Sequence, residues 1–173
     1  MLFSDRSLWT MMHGIVLGGG EMMALSADLF ALYTARRITP SRVEGSMLAW
    51  LTAAIAAMLW LTVIVGAYLV FPPYRATPPE GTADLAQFPR VLILSRPDTV
   101  WLHAFAMEIK EHMPWIASML ATAVAFVAAR HRTTLLNDVS LRTTVTRLLS
   151  VCFVLVAFAA LLGVFVNKVA PLW

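Results

Sequence analysis

Apolar residues fall in four long blocks along the chain, at 8–34, 46–71, 99–129 and 148–166, and short polar stretches separate them. A helix needs about 20 mostly apolar residues to cross about 30 Å of hydrocarbon, and each block approaches or exceeds that length. The first block runs into Arg36-Arg37 and then Pro40, where a helix is expected to stop. The second carries no charge and meets Pro72-Pro73, the third meets Arg130-His131-Arg132, and the fourth meets Asn167-Lys168. The pattern predicts an all-α, integral membrane four-helix bundle, a single domain over residues 1–173. Its largest extramembrane piece is a Pro-rich loop between helices two and three. That loop, residues 72–98, holds Pro72, Pro73, Pro78, Pro79, Pro89 and Pro97, so it is expected to be irregular. Within it, residues 88–94 are apolar enough to pack back on the protein, which predicts an ordered lid.

Composition supports the lipid environment. Hydrophobic residues make up 60% of the 173 and charged residues 13%, against roughly 45–50% and about 25% in a typical soluble domain. The net charge of +3 does not point to nucleic acid, because the arginines sit at block ends rather than in one dense tract. Cys152, the one cysteine, lies inside an apolar run and reads as a small buried hydrophobe. No CxxCH motif for covalent haem is present. Residues 1–10 lack the basic region of a cleaved signal, so the first block is expected to stay on the protein.

The basic residues also suggest an orientation. One side of the bundle would carry Arg36, Arg37, Arg42, Arg130, Arg132, Arg142 and Arg147, and the other Arg6, Arg75, Arg90, Arg96 and Lys168. Seven against five, with the seven in short loops, places the first side in the cytoplasm. Both termini are then expected on the periplasmic or outer side of a bacterial inner membrane.

Ionisable residues inside the blocks are the informative ones, because a charge at the centre of a spanning helix costs at least ~2.5–3.5 kcal/mol. Helix one contains His13, Glu21 and Asp28, the two acids seven residues apart on one stripe. Gly14 and Gly18-Gly19-Gly20 share that helix and suit close packing of another helix, or of a flat cofactor. Helix two offers a small-residue face at Ala53, Ala54, Ala56 and Ala57. Helix three opens with His103, Glu108, Lys110, Glu111 and His112. Either it spans from Thr99 and buries Lys110 beside Glu21, or the span starts near His112 with Pro114 in its first turn. A Glu21–Lys110 pair would spare each the cost of an isolated charge, and Glu108 four residues before His112 could orient that imidazole.

His13 matches His103 in depth if helix three starts early, and His112 if it starts late. Two imidazoles on facing helices can hold a b-type haem from both sides, which makes His13, His103 and His112 the candidate haem ligands. Met107 and Met113 lie nearby and read as packing. The Glu and His spacing does not supply the paired Glu-x-x-His of a di-metal bundle, and Lys110 would repel a cation, so no metal beyond haem iron is expected.

The leading functional expectation is a membrane subunit of a respiratory or photosynthetic electron-transfer complex. It would anchor other membrane or periplasmic subunits and would hold haem b or contact quinone near Trp9, Trp101, Trp115, Glu111 or His112. Two alternatives stand beside it: a cofactor-free structural or assembly subunit, and a proton or ion translocation component using Glu21, Asp28 and the helix-three cluster. A self-contained enzyme is disfavoured, since the chain has no phosphate-binding Gly-rich loop, GxSxG or HExxH.

Overall fold

Ser4 starts the first long helix by accepting a hydrogen bond from the Ser7 backbone N–H at 3.2 Å, which satisfies one of the unpaired amides of the first turn. In the computed structural model, which describes residues 4–35 and 42–171 (side chains of 42–44 excepted), five helices follow in order. They are α1 (Asp5–Thr34), α2 (Gly45–Arg75), the short α3 (Pro89–Leu94), α4 (Leu102–Arg130) and α5 (Val139–Val169). The chain is 81% helical, with no strand among the described residues. The four long helices have 30, 31, 29 and 31 residues and are long and apolar enough to cross a membrane. At 1.5 Å per residue each measures about 45 Å. Arg36, Arg37 and Pro40, and the Arg42 side chain, on which part of the expected charge bias rests, lie outside the described residues.

Side-chain contacts fix the topology as up-down-up-down. Gly20 meets Met58, Trp60 donates to Thr122 Oγ1 at 3.0 Å, Cys152 Sγ faces the Ala117 carbonyl at 3.6 Å, and Arg6 reaches the Ala170 carbonyl at 3.4 Å. Each helix therefore runs antiparallel to its two neighbours in a ring of α1, α2, α4 and α5. The start of α1, the end of α2, the start of α4 and the end of α5 lie together, here called the lid end.

Every long helix exceeds its expected bounds at one end or both, and the reasons are local. The stop expected at Pro72-Pro73 does not occur: α2 continues to Arg75. The backbone widens into a π turn over Gly66–Val70, and the two prolines then occupy the first turn of the final segment Phe71–Arg75, where a missing N–H costs little. α4 is continuous from Leu102 through Pro114, so the helix does not begin near His112. α5 starts earlier than the apolar pattern because Asp138 caps it, accepting from Leu141 N–H at 3.0 Å.

The segment between α2 and α4 is only partly irregular. Pro79 to Thr82 forms a turn closed by a 3.2 Å bond, with Gly81 at φ +81°, the left-handed conformation that a type II turn needs at its third position. Farther on, Pro89 takes the first turn of α3, whose Ile93 is fully buried. Thr99 Oγ1 donates to the Ile93 carbonyl at 2.8 Å, and Arg6 donates to the Ala86 carbonyl at 3.2 Å and to the Ala170 and Pro171 carbonyls at 3.4 Å each. These bonds strap the segment, here called the lid, to α1 and α5. At its exposed rim Arg96 pairs with Asp98 at 2.8 Å, and that hydrogen bond holds the Asp98 carboxyl below the usual carboxylate range.

The interior divides into two apolar clusters. The larger holds Leu25, Leu32, Ile55, Leu59, Ala117, Ala121, Val124, Leu149 and Cys152. The smaller, under the lid, holds Tyr74, Ile93, Leu102, Ala106, Met107, Leu162, Val166 and Ala170. Since Ile93 is the lid's fully buried apolar anchor, Ile93→Ala is expected to cost about 2–4 kcal/mol. Thermal unfolding and limited proteolysis at 76–99 check this; an unchanged Tm with no new cleavage in the lid would show that Ile93 does not hold it down.

Candidate functional site

Between the two apolar clusters the long helices contribute a polar layer. Leu59 is the last residue of α2 in the larger cluster, and Val156 the last of α5; Tyr74 and Leu162 open the smaller one. In that gap sit His13 and Glu21 of α1, Thr62 and Gly66 of α2, Lys110 of α4 and Ala159 of α5, with Gly163 at its edge.

Thr62 is the hub of the layer. Its hydroxyl donates to Glu21 Oε1, and it also lies 3.0 Å from the Met58 carbonyl of its own helix. Glu21 is 1% exposed, so this hydroxyl replaces the water that a buried carboxyl loses. The Thr62 carbonyl is a hydrogen-bonding neighbour of the His13 imidazole. One residue of α2 therefore touches both ionisable groups that α1 gives to the layer.

His13 packs on Gly66. A Cβ at position 66 would lie 2.9 Å from His13 Cε1, so only glycine leaves room for the ring. His13 Nδ1 is buried with no hydrogen-bond partner. Both contact residues occupy widened backbone: His13 lies in the π segment Met12–Gly18 and Gly66 begins the π segment Gly66–Val70. A third such segment, Leu102–Met107, carries His103. π turns are rare and cluster at functional sites, and here three of the four long helices widen at the same end of the bundle.

Lys110 does not pair with Glu21, which corrects the expected ion pair. Its ammonium turns to α5 instead, donating to the Ala159 carbonyl at 3.4 Å in the niche that Gly163 leaves; a Cβ there would come within 2.6 Å of Nζ. The amine remains within electrostatic reach of His13. Glu21 meets Thr62 because α2, not α4, packs against that face of α1.

His103 lies toward the lid, and the other α4 candidates flank Lys110. His103 Nδ1 shares a 2.9 Å hydrogen bond with the buried Tyr74 hydroxyl. Glu111 and Arg90 are close enough to act on Tyr74 electrostatically. His112 is exposed, and its Nδ1 donates at 2.7 Å to the Glu108 backbone carbonyl rather than to the Glu108 side chain. Glu108 is exposed as well. Asp28 stands apart: it is 0% exposed within the larger apolar cluster's span of α1, and neither carboxyl oxygen has a hydrogen-bond partner. Of the helix-one glycines, Gly20 packs against α2, whereas added Cβ atoms at Gly14 and Gly19 would meet open space. On α2, Ala54 and Ala57 are exposed and Ala56 is buried. Among the described residues no group of three or more His, Cys, Asp and Glu is placed to hold a metal ion.

Thr62 carries the layer together with the sequence-predicted His13, Glu21 and Lys110. Sequence reasoning passed over Thr62, since a threonine in a long apolar helix is unremarkable and which helix faces Glu21 is not written in the sequence. Comparison with protein-family models, with curated proteins and with solved structures finds no match to this chain.

If the Thr62 hydroxyl is what satisfies Glu21, Thr62→Val leaves a buried carboxyl without its donor and costs about 1–3 kcal/mol, while Thr62→Ser costs little. Unfolding in a mixed-micelle titration measures both, and equal stability of the valine and serine variants would remove the bond from the account.

Proposed function

We propose that the protein is an integral membrane subunit that passes protons from the lid end of the bundle through the buried Glu21, in the service of an electron-transfer complex. The single observation that carries the reading is the polar layer, in which Glu21, Thr62, His13 and Lys110 occupy one gap between apolar clusters. Membrane insertion is supported by the outside of the bundle, where Trp50, Met23, Tyr68 and Phe126 are 77%, 75%, 74% and 71% exposed. Such apolar side chains on long helices are at home in lipid and would drive a water-exposed protein to aggregate. Both termini then face the periplasmic side, as the distribution of arginines suggests.

Intramembrane carboxyls, imidazoles and amines in a connected series are the parts of a proton relay. Protons would enter past Glu108, Glu111 and His112, which flank Lys110 and are exposed or half-buried on α4. His13, whose free Nδ1 can bind or release a proton, neighbours Lys110 and the Thr62 backbone, and Thr62 holds Glu21. Quinone reduction takes up protons together with electrons, so a subunit of this kind fits beside a quinone site. The other membrane or periplasmic subunits of the complex would dock at the lid end.

A second reading has its own observation. His13 has a buried nitrogen without a partner, and the Tyr74 bond to Nδ1 of His103 leaves its Nε2 free, with Tyr74 fixing the ring as outer partners of haem ligands do. On that reading His13 and His103 would hold haem b, which would supply one-electron transfer, and His112 would stay outside the site.

The proton reading is tested with the purified chain in vesicles under a potassium diffusion potential, read with an internal pH dye. Wild type is expected to acidify the lumen faster than empty vesicles, Glu21→Gln to lose most of that rate, and Thr62→Ser to keep it; wild-type rates equal to empty vesicles would end the proposal. A reduced-minus-oxidised visible spectrum of the same preparation tests haem. A b-type band that disappears in His13→Ala would favour the second reading, and a band that survives would exclude His13 as its ligand.

A further inference from the structure

Asp28 is the buried ionisable group that the layer around Thr62 does not use. It follows Glu21 by seven residues on the same stripe of α1, about 10 Å farther along the helix axis. Its sequence neighbours on that stripe, Leu25 and Leu32, are both 0% exposed members of the larger apolar cluster. Asp28 itself is 0% exposed, and both of its oxygens lack a partner. The nearby hydroxyl-bearing core residues are already committed: Thr52 Oγ1 donates to the Ala49 carbonyl at 3.0 Å and Ser118 Oγ to the Pro114 carbonyl at 2.8 Å.

Among the described residues no cation is paired with it. The apolar blocks of the three helices around α1, residues 46–71, 113–129 and 148–166, contain no charged residue. Arg147, just beyond the last of them, is exposed, and Arg142 is engaged with the Leu136 carbonyl. A carboxylate isolated in this way would cost several kcal/mol even after relaxation, about the whole stability of a small protein. The carboxylic acid avoids nearly all of that cost. A metal cation offers no substitute, because a hard ion takes about six oxygen ligands and the surrounding helices present only backbone carbonyls already bonded within their own turns.

We infer that Asp28 is a second proton-binding site, occupied in the resting protein, to which Glu21 passes protons on their way to the far end of the bundle. The inference rests on the proton reading above and extends it across the full length of α1. The step is a plain transfer: the O–H of the neutral Glu21 breaks as a proton moves through an intervening water, and an O–H forms on Asp28 once its own proton has left toward the opposite end. The separation is too long for a direct hydrogen bond, so water must enter between the two acids for transfer to occur.

The experiment is isotope-edited infrared spectroscopy of the full chain in lipid, with all aspartates carrying a carbon-13 side-chain carboxyl, combined with proton flux. Asp5, Asp84, Asp98 and Asp138 are exposed and Asp28 alone is buried, so a labelled neutral-acid carbonyl band that disappears in Asp28→Asn belongs to Asp28. The expected result is one such band that shifts on transfer to heavy water, together with a proton flux reduced by about tenfold or more in Asp28→Asn. Absence of the band overturns the inference without need of any variant. A band that never responds to heavy water, or an unchanged flux in Asp28→Asn, overturns it as a station of the path. If wild type carries no flux at all, the proton reading fails and the transfer with it, while the band still decides whether Asp28 holds a proton.

Discussion

The bond between the Thr62 hydroxyl and the Glu21 carboxyl is the interaction on which the middle of this bundle depends. Two apolar clusters fill the core, and a carboxyl lies between them with almost no exposure to solvent. Without a donor from α2, Glu21 would have to move toward water or give up its place in the packing. With that donor in place, α1 and α2 are held in one register, and His13 is set against Gly66 by the same alignment. Lys110, released from pairing with Glu21, is free to turn to α5 and use the space at Gly163. The layer is therefore a consequence of which helix faces which, rather than of attraction between opposite charges.

Much of the architecture was legible in the sequence, and for a simple reason. Four apolar blocks bounded by arginines and prolines leave few arrangements, and short connections favour antiparallel neighbours. The helix ends were less legible because capping and widening are local events. Asp138 extends α5 by a hydrogen bond that no hydropathy pattern contains. Pro72 and Pro73 looked like a stop, and they cease to be one after a π turn that sequence periodicity does not announce.

The site divided along similar lines. Glu21, Asp28, His13 and Lys110 stood out because lipid disfavours them, and all four have burial or contacts that call for explanation. Their partners could not be read from spacing. A residue's neighbours across a bundle depend on helix rotation, which a one-dimensional pattern constrains only weakly, so Lys110 was matched to Glu21 by depth although the two face different helices. Depth matching likewise paired His13 with His103, but the described contacts of those residues run to Gly66 and to Tyr74 respectively, both on α2.

Arg6 gives the lid a bearing on all of this. One guanidinium joins the Ala86, Ala170 and Pro171 carbonyls, and so ties the lid, the first turn of α1 and the end of α5 into a single knot. A planar fork with its donors spread in this way acts as a hinge pin: any movement that lifts the lid must also tilt α1 against α5. The wide turns at His13, Gly66 and His103 lie a few turns below that pin. A displacement of the lid therefore has a mechanical line to the backbone around the polar layer, without touching any residue of the layer itself.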